Sequence, residues 1–165
     1  MKKILFTLIL SLALQSCDWI KSLGPEETFF CKINGQKFRP DKDNSPIGGW
    51  GSKPLRVEYN KGTKILFISV RNSPKVISLV ILLEDNVLSL NEFSLSNDSL
   101  SSKGYFTPDN GRIPLIKTIS SRGRLEITKI EGYNISGTFE FVCKDSTNNK
   151  EYHITEGEFN KLSYY

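Results

Sequence analysis

Beyond residue 27 the apolar and polar positions of this chain alternate with a period of two over most of its length, and that period predicts strands. In "TFFCKI" (28–33) the alternation places Phe29, Cys31 and Ile33 on one face. In "LRVEY" (55–59) it turns Leu55, Val57 and Tyr59 inward and Arg56 and Glu58 outward, as suits a sheet with one wet face. In "ISGTFEFVC" (135–143) it aligns Ile135, Phe139, Phe141 and Cys143. Further runs are "QKF", "KILFISVR" (64–71), "KVISLVILLE" (75–84), "KGYFT" (103–107), "RIPLIKTIS" (112–120), "RLEITKI" (124–130) and "EYHITEGEF" (151–159). Turn formers separate them: Asn34-Gly35, Asn60-Lys61-Gly62, Asn72-Ser73-Pro74, Asp109-Asn110-Gly111 and Asp145 to Asn149. No segment after the N-terminal stretch has a helical period. The predicted fold is therefore all-β, a mostly antiparallel sandwich or barrel-like meander of about nine to ten short strands.

Two features modify this pattern. "ISLVILL" (77–83) is apolar on both faces, which fits a central strand, the wall of a cavity, or a surface buried by a partner. Two breaker-rich stretches interrupt the strands: "PDKDNSPIGGWGSKP" (40–54) and the serine-rich "SLSNDSLSSK" (94–103). Loops as long as the first are more often functional or mobile than neutral. Trp50, between Gly49 and Gly51, is the candidate binding residue there; it either stacks on a ligand or folds back as a plug over one end of the core.

The first sixteen residues follow a different rule. Lys2 and Lys3 precede an apolar run, Ile4 to Leu14, that is too short to span a bilayer core of about 20 apolar residues and has the layout of a secretory signal. Leu14, Ser16 and Cys17 resemble the lipobox of bacterial lipoprotein precursors, in which the cysteine is acylated and becomes the mature N-terminus. The domain reading is residues 1–16 as signal peptide, 17–27 as lipidated tether and 28–165 as a single all-β domain. Removing the signal lowers the basic count from 22 to 20 against 18 acids, so part of the net charge of +4 belonged to it. No clustered basic stripe remains, and no nucleic-acid partner is expected.

In an exported, oxidising compartment the two remaining cysteines, Cys31 and Cys143, could form a disulfide closing a loop of 112 residues, for which chain entropy suggests about 4 to 5 kcal/mol. The alternative is a pair of buried thiols acting as small hydrophobes. The bridge is the expectation, provided that the two strands are neighbours.

Catalytic chemistry is sparse. His153 is the single histidine and alternates to the face opposite Tyr152 and Ile154, which makes a hydrolytic triad or a histidine-rich metal site hard to build. Asp41 and Asp43 begin like a calcium loop, but Pro46 and Ser52 stand where its glycine and glutamate belong. Glu156 and Glu158 alternate onto one face as a conceivable carboxylate pair. No metal site, catalytic residue or cofactor is predicted.

"FFCKINGQKFRP", "GRLEITKIEGYNISGTFEFVCK" and "ITEGEFNKL" resemble an uncharacterised domain family of Bacteroidota lipoproteins: a lipobox, then F-x-x-x-I/V-N-G-K, then I-S-G-T-F-x-F and a closing T-x-G-x-F. The resemblance implies an exported all-β domain with no defined activity; from the signal and Cys17 the expected location is the cell envelope, lipid-anchored at the outer membrane on its periplasmic or surface face. Asp98-Ser99-Leu100 and Asp145-Ser146-Thr147 fit the Asp-Ser/Thr pattern of O-glycosylation in such bacteria, making Ser99 and Ser146 candidate acceptors. The functional expectation is a non-catalytic envelope lipoprotein that binds a small molecule, a glycan or a protein partner. Its alternatives are an envelope-polymer hydrolase using acidic residues, or a subunit of a surface assembly.

Overall fold

The computed structural model describes residues 28–43, 53–110, 118–145 and 148–164. Its strands are β1 (Phe29–Ile33), β2 (Gln36–Phe38), β3 (Leu55–Asn60), β4 (Ile65–Asn72), β5 (Lys75–Leu82), β6 (Glu92–Ser94), β7 (Lys103–Thr107), β8 (Thr118–Glu131), β9 (Asn134–Lys144) and β10 (Glu151–Ser163). They form one ten-stranded sheet in the order β2-β1-β10-β9-β8-β7-β5-β4-β3, with β6 on β8 beside this path. Every strand pairing is antiparallel. The sheet curls into a half-barrel. Its edge strands, β2 and β3, are not paired to each other.

The period-two pattern places the core where it was expected. Phe29, Cys31 and Ile33 of β1 are buried, as are Ile135, Phe139, Phe141 and Cys143 of β9. "ISLVILL" proves to be central: β5 lies between β4 and β7, with Ile77, Leu79 and Ile81 fully buried and Val76, Val80 and Leu82 half-buried on the outer face. Asn34 and Gly35 both have positive φ (49° and 78°), the backbone that a two-residue hairpin turn requires. Asn34 also joins β1 to β10, since its Oδ1 accepts from the His153 N–H at 2.7 Å and its own N–H donates to the His153 carbonyl at 2.9 Å.

Two elements depart from the sequence reading. "SRG" (121–123) does not break the strands on either side: β8 runs through it for fourteen residues. β8 needs this length because it exchanges partners, pairing β7 at Thr118 and Ile119 and β6 at Arg124 to Glu126. β6 was not foreseen at all. Three residues carry no readable period, and Phe93 is buried only because Leu125 stands opposite.

β10 carries two bulges. Between Ile154 and Gly157, and again between Phe159 and Leu162, it places three steps against two on β9. Glu156 and Lys161 both take φ of 51° there, a left-handed backbone uncommon outside glycine. Bulges bend and twist a strand, and a pair of them five residues apart contributes to the curl of the sheet.

Candidate functional site

The most distinctive motifs of the chain build its core. On β9 Gly137 stands opposite Phe159, and on β10 Gly157 stands opposite Phe139. A Cβ at Gly137 would come within 2.4 Å of the Phe159 ring and 2.2 Å of the Glu126 carbonyl oxygen; one at Gly157 would meet the Phe139 ring at 2.7 Å. Each glycine therefore supplies the space into which the facing phenylalanine lies. Phe139 is the hub, 5.2 Å from Phe29 and 6.4 Å from both Phe141 and Phe159, ring centre to ring centre. Gly104 and Gly123 make the same room for Phe141 from β7 and β8. Ser136 of the same motif accepts the Lys161 N–H at 3.0 Å and so satisfies a donor at the second bulge. "ISGTFEF" and "ITEGEF" are thus a packing code between neighbouring strands.

The expected disulfide is not formed. Cys31 and Cys143 are free and completely buried. Their strands are not neighbours, because β10 lies between them. Cys143 stands opposite Tyr152, whereas Cys31 falls at the bulge between Thr155 and Glu158, some four residues along β10. At about 3.3 Å per residue that is roughly 13 Å along the strand, in addition to two inter-strand spacings. A disulfide spans Cα atoms less than about 7 Å apart. Burial pushes the Cys31 thiol from 9.0 up to about 12. It pushes Cys143 up to about 11, opposed by the Thr118 hydroxyl 2.9 Å from its sulfur. Both thiols are held neutral and act as small hydrophobes.

The polar candidates are dispersed. Glu156 sits at the first bulge and pairs with Lys32 of β1 at 2.7 Å. The bulge absorbs its extra residue before Gly157, so Glu156 and Glu158 are both exposed on either side of buried Gly157, and Glu156 is engaged with Lys32. His153 is solvent-facing, as anticipated, and stands 3.7 Å from Glu151. Among the described residues no group of three or more His, Cys, Asp or Glu side chains could hold a metal ion.

A cluster of one exposed and two half-buried tyrosines lies at one end of the half-barrel, and no sequence period announced it. The β8–β9 turn presents Tyr133, the end of β10 presents Tyr164 and the end of β3 presents Tyr59. Tyr164 packs edge-on against both, with ring centres 6.1 Å from Tyr133 and 5.7 Å from Tyr59. Tyr59 donates its hydroxyl to the Asn86 carbonyl at 2.5 Å. Asn86 belongs to the segment joining β5 to β6, which crosses this end with Leu83 and Leu88 turned into the core. The same segment exposes Val87 (70%) and Leu90 (63%), and Tyr133 is 77% exposed. Val87 directly follows Asn86, the residue that holds Tyr59, and a tyrosine ring presents an apolar body and a polar tip.

Of the remaining candidates, Ser99 is exposed at a turn between β6 and β7. The turn is closed by Ser96 Oγ donating to Asp98 at 2.8 Å and by Lys103 Nζ donating to the Asp98 carbonyl at 2.7 Å. Cys17, Trp50 and Ser146 lie outside the described residues. The residues flanking the Trp50 loop attach to the end of the molecule opposite Tyr133. The Asp41 N–H donates to the Arg71 carbonyl at 2.9 Å, and the Arg71 N–H donates to the Pro54 carbonyl at 2.7 Å.

No curated protein and no solved structure matches the chain. A family model described as a domain of unknown function (DUF6252) matches residues 34–163, nearly the whole of the β-domain, and the chain belongs to that family.

Proposed function

We propose that this chain is a non-catalytic envelope lipoprotein, held at the outer membrane by a lipid on Cys17, that acts by binding through the exposed end carrying Tyr133. The observation that carries the reading is that Tyr133, Val87 and Leu90, three of the five large apolar residues exposed among those described, lie toward one end of the sheet, where half-buried Tyr164 packs on Tyr133. Exposed large apolar residues grouped in this way mark interaction surfaces on soluble folds. The sequence "LALQSC" supports the anchor.

Metabolic labelling with an alkyne palmitate, followed by membrane fractionation, tests the anchor. The wild-type chain is expected to carry the label and to fractionate with membranes, and Cys17→Ala to do neither. A Cys17→Ala chain that labels and stays in membranes overturns it. Binding is tested at the surface itself: Tyr133→Ala should leave the unfolding midpoint unchanged while weakening capture of whatever partner is crosslinked to the wild type. Equal capture by both forms would remove Tyr133 from the site.

Trp50 and Ser99 are secondary parts of the same reading. If Trp50 recognises a ligand, iodide should quench its fluorescence in a Trp19→Phe background; a shielded indole makes it a plug. Glycosylation at Ser99 would raise the mass of the tryptic peptide Val76–Lys103 from the native host, and at Ser146 that of Asp145–Lys150. Unshifted masses dispose of both.

A further inference from the structure

From the position of the tyrosine cluster relative to the point where the chain enters the fold, we infer that the occupant of this surface is the lipid bilayer to which the protein is anchored. The inference rests on the Cys17 anchor proposed above and adds an orientation that the anchor alone does not impose. β1 begins at Phe29, paired with Phe159, and the Thr28 carbonyl accepts the Asn160 N–H at 3.0 Å. From there β1 runs away from the tyrosine end, while β10 runs on past Asn160 toward it and ends at Ser163, just before Tyr164. Thr28, the first described residue, therefore stands beside Asn160, four residues from Tyr164 and nine from Glu151 along β10, in the part of the sheet nearer the tyrosines.

The tether does not hold this orientation by itself. The eleven residues of the tether, 17–27, lead into Thr28. Fully extended they reach roughly 40 Å, enough for a domain of this size to turn over. What selects one orientation is the chemistry of the end. Tyrosine is enriched at membrane–water interfaces, where its ring lies among acyl chain ends and its hydroxyl stays hydrated. Val87 and Leu90 offer aliphatic groups beside it. Charge does not favour the contact: Lys129 is paired with Glu131 at 2.8 Å, and Lys64 donates to the Glu84 carbonyl at 2.6 Å, beside the exposed Asp85. A peripheral apolar contact of this kind adds a second membrane signal to a lipid anchor, the combination that makes anchoring stable. It also turns the opposite end, where the Trp50 loop attaches, away from the bilayer.

The test uses the full chain, purified from membranes and reconstituted into vesicles of phosphatidylethanolamine and phosphatidylglycerol containing a nitroxide-labelled lipid. The buried Cys31 and Cys143 stay unlabelled in the folded protein, so a single fluorophore can be placed by Lys61→Cys at the tyrosine end or by Lys150→Cys at the other. The lipid quencher is expected to reduce emission several-fold more at position 61 than at position 150. Combining Lys61→Cys with Val87→Ser, Leu90→Ser and Tyr133→Ser should abolish the difference while the protein still floats with the vesicles and its thermal midpoint is unchanged. Equal quenching at the two positions in protein that floats overturns the inference, leaves the anchor standing and returns the surface to a soluble partner. A chain that does not float overturns the anchor and the inference together.

Discussion

At Gly137 the absence of a single carbon atom decides how three strands meet. A Cβ there would lie 2.2 Å from the Glu126 carbonyl oxygen on β8 and 2.4 Å from the Phe159 ring on β10, so neighbours on both sides must move. Overpacking at such a point costs about 3 kcal/mol or more. Gly132, with φ of 60° in the β8–β9 turn, has open space around its Cβ position. Gly132→Ala therefore carries only the backbone strain of roughly 1 kcal/mol. Urea unfolding of the two variants should show the Gly137→Ala midpoint falling well below that of Gly132→Ala; equal losses would mean that the core yields at Gly137.

The buried thiols make a second prediction at this scale, and its sign follows from burial. Cys31 and Cys143 ionise from 9.0 in the open chain but only near about 12 and about 11 in the folded one. The folded state rejects the thiolate, so their contribution is complete below pH 9 and is lost as pH rises toward 11. The midpoint of the wild type should fall more steeply between pH 9 and pH 11 than that of Cys31→Ala. At pH 8 neither thiol should react with a thiol reagent until the protein is unfolded. Fast reaction of two thiols in native protein would contradict the burial.

Among the elements, β10 carries the most irregular backbone. Lys161 holds a left-handed conformation at the second bulge, where its N–H is taken up by the Ser136 hydroxyl at 3.0 Å. Lys161→Gly relieves the backbone at the expense of added freedom in the unfolded chain, for a net gain of about 0.5 kcal/mol. Ser136→Ala removes the acceptor and should destabilise by about 1 kcal/mol. If the bulge is fixed this way, the double variant should be about 0.5 kcal/mol less stable than the wild type, because the donor still lacks its partner. Calorimetry of the four proteins measures this coupling directly.

In the whole molecule the N-terminal strand completes the sheet from the far end of the sequence. The family match begins at residue 34, yet β1 at Phe29–Ile33 covers the edge of β10 and gives β2 its partner. Phe29, Cys31 and Ile33 are all buried. Burying each large apolar side chain contributes about 1.5 to 3 kcal/mol, and a domain of this size has only about 5 to 15 kcal/mol in total. A chain starting at residue 34 is expected to show no cooperative unfolding transition by circular dichroism, whereas one starting at residue 28 should unfold in a single step. A cooperative transition in the shorter chain would show that β1 is an accessory.

By itself the sequence determined the class of fold, most strand positions and the inward face of each long strand, because a period of two is written locally and one side of the sheet must be buried. It also determined the Asn34-Gly35 turn, whose left-handed backbone those two residues adopt at little strain. The joining of the runs around "SRG" into β8 was not legible, since Gly123 reads as a breaker until Phe141 is seen across from it. The separation of Cys31 from Cys143 was equally hidden: alternation assigns a face but says nothing of which strand lies beside which, and only the insertion of β10 between β1 and β9 decided it. The cluster of Tyr59, Tyr133 and Tyr164 combines residues separated by up to 105 positions in the chain. It exists because three strand ends and one crossing segment converge at one end of a curled sheet, and convergence of that kind is a property of register and curvature, which no local pattern carries.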